Sequence, residues 1–298
     1  MDRRSQAYLY IHICVVLWGF TAILGELIQL PALMIVLWRV FITSCSLIFL
    51  LWYYNKFVKL GFRQFFIFAG IGIVVALHWL TFYGAIKLAN ASIALVCFAT
   101  TSFLTALIEP LIVKSKFSFF DLAIGIVIVP SMIFIVNELP TKDYLGVAVG
   151  ITSALLATLF STLNKKYVHE ADPIFISAIE ISSATIFLAI MLPFVFYFGE
   201  PMTLMPTGTM DWIYLFILSI VCTTLPFILS MISLKQLSAF ATNLVINLEP
   251  VYGIILAIFI LHEHKELNVN FYIGAAVIML SVFIYPILKK KFNPSNES

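Results

Sequence analysis

Charged residues are scarce in this sequence. Asp, Glu, Lys and Arg make up 11% of its 298 residues, against about 25% in soluble globular domains. Hydrophobic residues reach 62%, and the mean hydropathy is +1.07. A soluble fold of this length could not bury so much apolar surface, and a disordered chain requires low hydrophobicity with high charge. The composition excludes both classes and predicts an integral membrane protein.

Enzyme signatures are also missing. The sequence contains no HExxH, no GxSxG, no phosphate-binding loop and no paired-aspartate motif. The segment His262-Glu263-His264 is the nearest approach to a metal site, but it has no further ligands nearby. We therefore expect no enzyme activity, no catalytic residue, no bound metal and no cofactor. The small net charge of +2 gives no indication of nucleic-acid binding.

Cysteine is rare, with four residues in the chain. Each lies inside an apolar stretch, whereas a disulfide framework would place them in extracellular loops. We expect all four to be small buried side chains; they are Cys14, Cys45, Cys97 and Cys222.

Ten apolar stretches are each long enough for a membrane-spanning helix, which takes about 20 residues. They cover residues 7–26, 33–53, 64–86, 91–113, 118–137, 144–164, 173–198, 211–234, 238–261 and 269–288. Together they use nearly the whole chain. The predicted fold class is an all-α integral membrane protein with ten transmembrane helices.

Lysine and arginine alternate between the two sides of this predicted helix array. Thirteen lie at the termini or in connectors on the side of the termini, three lie on the opposite side, and Arg39 lies inside a helix. Basic residues concentrate in cytoplasmic loops. The split therefore predicts a multi-pass protein of the cell (inner) membrane with both termini in the cytoplasm.

Ten helices divide into two sets of five, and an odd number of helices inverts the second set relative to the first. We therefore predict two inverted five-helix repeats, residues 1–140 and 141–298, an architecture typical of secondary transporters. The segments Leu88–Ser92 and Leu234–Ser238 resemble each other where helices 4 and 9 begin.

Three ionisable residues lie deep in the predicted helices, namely Arg39, Glu180 and Glu249. At the rise of an α-helix, Arg39 is ~12 Å below the outer surface and Glu249 is ~16 Å above the inner one. Because unpaired charges at that depth are costly, we expect these two to lie on the cavity side, either paired with each other or bridged through polar neighbours such as Asn247. They form either a structural ion pair or part of a substrate path. Glu109 lies near a helix end, where a side chain can reach the interface.

Helix 9 carries an interrupted hydrogen-bond ladder. Pro250 cannot donate to the carbonyl of Ile246, and Asn243 and Asn247 lie on the same face as Pro250. Transporters build midplane binding sites in this way, but a packing kink with amides bonded across helices is the alternative.

Polar and aromatic side chains reach similar depth in most of the helices, whereas helices 5 and 10 have almost none and are expected to be peripheral. The remaining helices are expected to surround a polar cavity, although some of their hydroxyls are expected to serve only as interhelical hydrogen bonds. The candidate cavity residues are Trp18, Arg39, His78, Trp79, Tyr83, Thr101, Thr158, Thr223, Asn243, Asn247 and Glu249.

A set of motifs is spread over the whole chain: Leu17-Trp18-Gly19, Arg39, Ser92, Ser238, Glu249-Pro250-Val251, Glu263 and Gly274. With these motifs the sequence resembles the EamA-type branch of the drug/metabolite transporter superfamily. The resemblance implies a monomer-sized transporter fold whose central cavity is lined by helices 1, 3, 4, 6, 8 and 9. It also implies alternating-access export of small metabolites, often amino acids.

Other interpretations stay open at this point. The solute could belong to another class, such as a nucleotide-sugar-like compound or a drug, and a membrane-embedded enzyme is a weaker alternative. The expected partners are a small-molecule substrate and the lipid bilayer, with no nucleic acid. Coupling to protons, and the choice between a monomer and a homodimer, are left undecided.

The charge split makes a direct topological prediction. Reporter fusions placed after Lys56 and after Lys165 should report a cytoplasmic location, and a fusion near Glu200 should report an external one. An external signal from the fusion after Lys165 would contradict the inverted-repeat arrangement.

Overall fold

The computed structural model describes residues 2–136, 143–199, 202–261 and 269–292, which form helices and connectors without any strand. Ten helical spans follow one another: α1 (Arg3–Leu27), α2 (Ala32–Tyr54), α3 (Phe62–Leu88), α4 (Ala91–Val113), α5 (Phe119–Val136), α6 (Tyr144–Tyr167), α7 (Pro173–Phe198), α8 (Thr209–Leu234), α9 (Ala239–Leu261) and α10 (Val269–Phe292). Among the described residues, the eight spans α1–α4 and α6–α9 are long and apolar enough to cross a membrane. The predicted fold class is confirmed.

Several helices begin where the sequence supplies a side-chain oxygen for the first free N–H groups. The carboxylate of Asp2 accepts from Ser5 N at 2.7 Å, and the amide oxygen of Asn90 accepts from Ile93 N at 2.8 Å. The hydroxyl of Ser238 accepts from Ala241 N at 3.0 Å. Such caps matter in a membrane because lipid offers the backbone no other partner.

The packing of the helices repeats between the two halves. Helix α1 packs against α8 and α9, and its counterpart α6 packs in the same way against α3 and α4. The pairs α2–α7 and α5–α10 each join a helix to its own counterpart. This pattern is that of two inverted five-helix repeats related by a pseudo-two-fold axis. The predicted repeat boundary between residues 140 and 141 lies outside the described residues and stays a prediction.

Helices α4 and α9 are both interrupted by a single turn. The interruption falls at Ala99-Thr100 in α4 and at Asn247-Leu248 in α9, in both cases nine residues after the cap, which is Asn90 or Ser238. Asn90 in the first half therefore corresponds to Ser238 in the second half. The sequence comparison that aligned Ser92 with Ser238 was wrong, because Ser92 already lies inside α4 and cannot cap it.

The expectation that all four cysteines are buried was also wrong. Cys14, Cys97 and Cys222 are buried, but Cys45 is exposed on the outer surface of α2. Large apolar side chains such as Phe41 and Phe49 are exposed on the same helix. A thiol behaves as a small hydrophobic group, so an apolar solvent accepts Cys45 as readily as the protein core does.

Helices α3 and α7 approach each other most closely at Gly72. A methyl group added to Gly72 would lie 2.1 Å from the carbonyl oxygen of Glu180, a separation that only a backbone shift could relieve. Gly70 lies one half-turn earlier on α3, and a methyl group there would meet nothing within 4 Å. The packing of α3 on α7 therefore requires glycine at position 72 and not at position 70.

This pair of glycines yields a matched test of the fold. Gly72→Ala should destabilise the protein by about 1–3 kcal/mol, the usual cost of overpacking, whereas Gly70→Ala should be neutral or stabilising by up to about 1 kcal/mol. Thermal unfolding of both variants in the same detergent measures the difference. Equal melting temperatures for the two variants would contradict the close approach of α3 and α7.

Candidate functional site

A cavity lies between the two halves of the protein. It encloses about 760 Å³, including the space at its open side, and is lined by α1, α3, α4, α6, α8 and α9 together with Arg39 from α2. Helices α5 and α10 contribute no described residue to its wall, as their lack of central polar residues predicted. The aromatic part of the wall consists of Trp18, Trp79, Phe82, Phe98, Phe160 and Phe227.

Arg39 is the cationic group of the cavity, and three neighbours hold it. Its Nε donates to Thr223 Oγ1 at 2.8 Å, and its Nη1 donates to Tyr83 Oη at 3.0 Å. The guanidinium also lies over the ring of Trp79, 4.0 Å from the centroid. Two hydroxyl acceptors and a stacked ring thus compensate much of the cost of burying this charge.

A π-helical segment of α8, Ile217–Thr224, presents Thr223 to Arg39. Within it, the Thr223 hydroxyl donates to the carbonyl of Leu218 at 2.5 Å, and the Thr224 hydroxyl donates to the carbonyl of Ser219 at 3.0 Å. Short π-helical segments are frequent at functional sites. Here the segment turns the oxygen of Thr223 toward the guanidinium.

Glu249 is the anionic group of the cavity. It is the first residue after the turn that interrupts α9, and it lies in the cavity wall with 5% of its surface exposed. Within the described part of the chain, Glu249 and Arg39 do not form an ion pair within 4.0 Å. The predicted direct pairing was wrong, because Arg39 is held instead by Thr223 and Tyr83 through its Nε and Nη1.

Asn243 joins three helices next to the cavity. Its amide nitrogen lies 2.8 Å from both Thr105 Oγ1 on α4 and Ser161 Oγ on α6. Thr158 extends this network by donating to the carbonyl of Thr101 at 3.3 Å. The network ties the interrupted part of α4 to α6 and α9.

Asn247 does not bridge Arg39 and Glu249. Its amide nitrogen donates to Ser102 Oγ on α4 at 2.6 Å, away from the cavity wall. The expected bridge was therefore wrong. The interrupted turns of α4 and α9 leave these two residues close to each other, which explains the contact.

His78 is also anchored by protein groups. Its Nδ1 lies 3.0 Å from the carbonyl oxygen of Ser153 and 2.9 Å from the hydroxyl of the same residue. Its ring stacks on Phe98 with the centroids 5.5 Å apart. The histidine therefore forms part of the cavity wall while its nitrogen links α3 to α6.

Both halves of the sequence match the model of the EamA-like transporter family, over residues 5–137 and 144–285. The chain belongs to the EamA-like transporter family. The resemblance to the drug/metabolite transporter superfamily is thereby confirmed, and with it a multi-pass membrane transporter of this type. The duplicated match also agrees with the repeated helix packing.

Solved structures show the same fold as this EamA-like protein. One of them, titled "Crystal structure of protein", superposes with a TM-score of 0.73 over 97% of this chain and 99% of its own, at 14% sequence identity. No curated protein matches the chain. Within the described residues of this EamA-like protein, no group of three His, Cys, Asp or Glu side chains could hold a metal ion. The segment His262-Glu263-His264 lies outside those residues.

The eleven candidate residues divide into two groups. Six of them lie in the cavity wall: Trp18, Arg39, His78, Trp79, Asn243 and Glu249. The other five do not line it: Tyr83, Thr101, Thr158, Thr223 and Asn247. Depth alone suggested this second group, but their side chains are buried between helices. Tyr83 and Thr223 accept from Arg39, and Thr158 and Asn247 donate to α4. The Thr101 hydroxyl donates to the carbonyl of Phe98 in its own helix.

Several wall residues had no signal in the sequence. Phe98, Phe160 and Phe227 are three of 28 phenylalanines, and most phenylalanines in such a chain face lipid. Asn164 lies close to the end of α6, where polar residues are common. Only the arrangement of the helices distinguishes these residues from their neighbours.

Glu109 has a role that its position near a helix end did not suggest. Its two carboxylate oxygens accept from the backbone N–H groups of Ala239 at 2.8 Å and Phe240 at 2.6 Å, and the side chain is buried. Glu109 is therefore held inside the protein at the start of α9 rather than exposed on its own helix. A carboxylate at this place stabilises the start of α9, the helix that carries Asn243 and Glu249.

This contact predicts the behaviour of a neutral variant. Glu109→Gln should destabilise the start of α9 by about 1–2 kcal/mol, since an amide offers only one acceptor oxygen to two N–H donors. Hydrogen exchange at Ala239 and Phe240 measures this loss as faster exchange. Glu170→Gln, the same change at an exposed position, is the control and should leave both amides unchanged. Unaltered exchange in the Glu109 variant would contradict the cap.

Proposed function

We propose that this protein exports small zwitterionic metabolites of the amino-acid class through its central cavity by alternating access. The observation that carries this proposal is the presence of one guanidinium and one carboxylate, Arg39 and Glu249, in the wall of one aromatic cavity without an ion pair between them. A zwitterion supplies the two complementary charges.

Arg39 suits the carboxylate end of such a substrate. Its guanidinium is held in place by Thr223, Tyr83 and Trp79 before any substrate arrives, so little orientational freedom is lost on binding. Guanidinium groups also recognise carboxylates by directional, charge-assisted hydrogen bonds.

Glu249 suits the ammonium end. Within the described part of the chain it accepts no hydrogen bond, so a substrate N–H group would not displace a protein donor. A deep carboxylate without a partner is costly, and an ammonium group would offset that cost. Glu249 is therefore assigned to substrate binding rather than to stabilising Arg39.

The rest of the wall favours a large apolar side chain. Trp79 and Phe227 meet edge to face with their centroids 6.1 Å apart, and Phe82, Phe98 and Phe160 complete the surface. Aromatic and branched amino acids match this apolar, largely aromatic wall best.

The two ends of the cavity differ, which supports alternating access. At one end, Lys87 Nζ donates to the carbonyls of Glu26 and Ile28, both at 3.3 Å, and so ties α3 to the end of α1. Toward the opposite end the wall reaches Asn164 and Leu234, at the ends of α6 and α8. If the two repeats exchanged their conformations, the end near Asn164 and Leu234 would close and the end near Lys87 would open. The charge split predicts that the end near Asn164 and Leu234 faces the cytoplasm.

The charge arrangement can be tested with paired substrates. In proteoliposomes, transport affinity is compared for an aromatic amino acid and its analogue lacking the amino group, with the wild-type protein and Glu249→Gln. The wild type should have a higher affinity for the amino acid than for the analogue. In the variant this ratio of affinities should fall by about 10-fold to 100-fold, which corresponds to the free energy of one charged hydrogen bond. Membrane abundance should stay normal, because Arg39 keeps its own partners.

Other outcomes identify the alternatives. Equal loss of affinity for both compounds would show that Glu249 does not contact the ammonium group. Transport of cationic drugs or nucleotide sugars with no amino-acid flux would contradict the proposed substrate class. Glu170→Gln controls for the loss of one negative charge.

A further inference from the structure

We propose that Glu180 on α7 is a proton-binding site that exchanges its proton with the cavity beside Asn164 and thereby couples transport to a pH gradient. This inference rests on the proposed transport function, and it assigns the coupling ion to a residue outside the substrate-binding wall. It is argued from the burial of Glu180, its missing partners and the position of Asn164.

Glu180 is sealed inside the protein. None of its surface is exposed, and its backbone carbonyl packs directly against Gly72 of α3. One carboxyl oxygen, Oε2, lies 3.2 Å from the donating amide nitrogen of Asn164. The other oxygen, Oε1, is buried and has no hydrogen-bond partner among the described residues.

The other charged groups on the surrounding helices do not pair with Glu180. Arg63, at the start of α3, is exposed. Within the described part of the chain, Glu180 forms no ion pair. On the helices that pack against α7 or bond to Glu180, Arg39 donates to Thr223 and Tyr83, and His78 bonds to Ser153. Lys165 donates to the carbonyl of Leu234, Lys87 donates to carbonyls near the end of α1, and Lys166 lies over the ring of Tyr167. Asp211 accepts from Gln29 N and from Thr207.

An ionised carboxylate in this position would lack compensation. Burying a charge without a partner costs far more than burying a neutral polar group. Protonation removes the charge and turns one carboxyl oxygen into a donor. The amide oxygen of Asn164 is also buried without a hydrogen-bond partner among the described residues. Glu180 Oε1 and Asn164 Oδ1 are therefore two unsatisfied acceptors with no donor between them. A proton on Glu180 supplies that missing donor.

Asn164 connects this site to the cavity. It lies in the cavity wall near the end of α6, while its amide nitrogen holds Glu180 Oε2. When α6 moves relative to α7, water from the cavity can reach the carboxyl group. The proton then passes from Glu180 to a water molecule as hydronium, leaving the carboxylate, and reprotonation reverses this step. The site thus adds one exchangeable proton per transport cycle.

The experiment uses Glu180→Gln, which imitates the protonated state permanently. In proteoliposomes with wild-type protein, a pH difference of one unit should drive up to about tenfold accumulation of the amino acid for one coupled proton. The variant should show no accumulation under the same gradient, yet should exchange labelled for unlabelled substrate at a rate close to that of the wild type. Glu180→Asp keeps a titratable group and should restore part of the accumulation.

A second measurement does not depend on transport. The infrared spectrum of the wild-type protein in detergent should contain a carbonyl band from a neutral carboxylic acid that Glu180→Gln lacks and Glu170→Gln retains. Absence of amino-acid flux in the wild type would contradict the proposed function, while this band would still test the proton site.

Three results would overturn the proton site. The first is gradient-driven accumulation by Glu180→Gln equal to that of the wild type. The second is accumulation that requires a sodium gradient instead of a pH gradient and is lost in the variant, which would assign the oxygens of Glu180 and Asn164 to sodium. The third is loss of exchange together with accumulation in the variant, which would assign Glu180 to general transport rather than to coupling.

Discussion

The interior of a bilayer contains no water to satisfy polar groups, and the arrangement of this protein follows from that constraint. Each deep polar side chain must find a partner on another helix or face the cavity. Arg39 satisfies its charge with Thr223, Tyr83 and Trp79, and Glu109 satisfies the first N–H groups of α9. The polar contacts thus also fix how the helices pack.

Within the described residues, two buried carboxyl groups have oxygens that lack such partners, and the proposed functions depend on them. Glu249 faces the cavity without a hydrogen bond from a described residue, which makes it available to a substrate. Glu180 has an unsatisfied oxygen away from the cavity wall, which suits a proton instead. The proposed roles of Glu249 and Glu180 therefore differ because their surroundings differ. The environment of a carboxyl group commonly decides its role in this way.

The repeats are equivalent in backbone but not in chemistry. Both α4 and α9 contain an interruption nine residues after a side-chain cap. The residue that follows the interruption is Thr101 in the first half and Glu249 in the second. The backbone is therefore similar in the two halves, whereas Glu249 gives the described cavity wall an anionic group from the second half only.

The sequence by itself determined the membrane class, the ten helices and the repeated architecture, because hydropathy and helix length are properties of continuous segments. It also identified Arg39 and Glu249 as deep charges. Only the tertiary structure decided which side chains face the cavity, since residues at equal depth point in different directions around a helix. Thr223 and Tyr83 therefore proved to be supports of Arg39, and Phe160 and Asn164 proved to be wall residues. The partners of Glu109 and Glu180 likewise come from distant segments, whose proximity depends on how the helices pack.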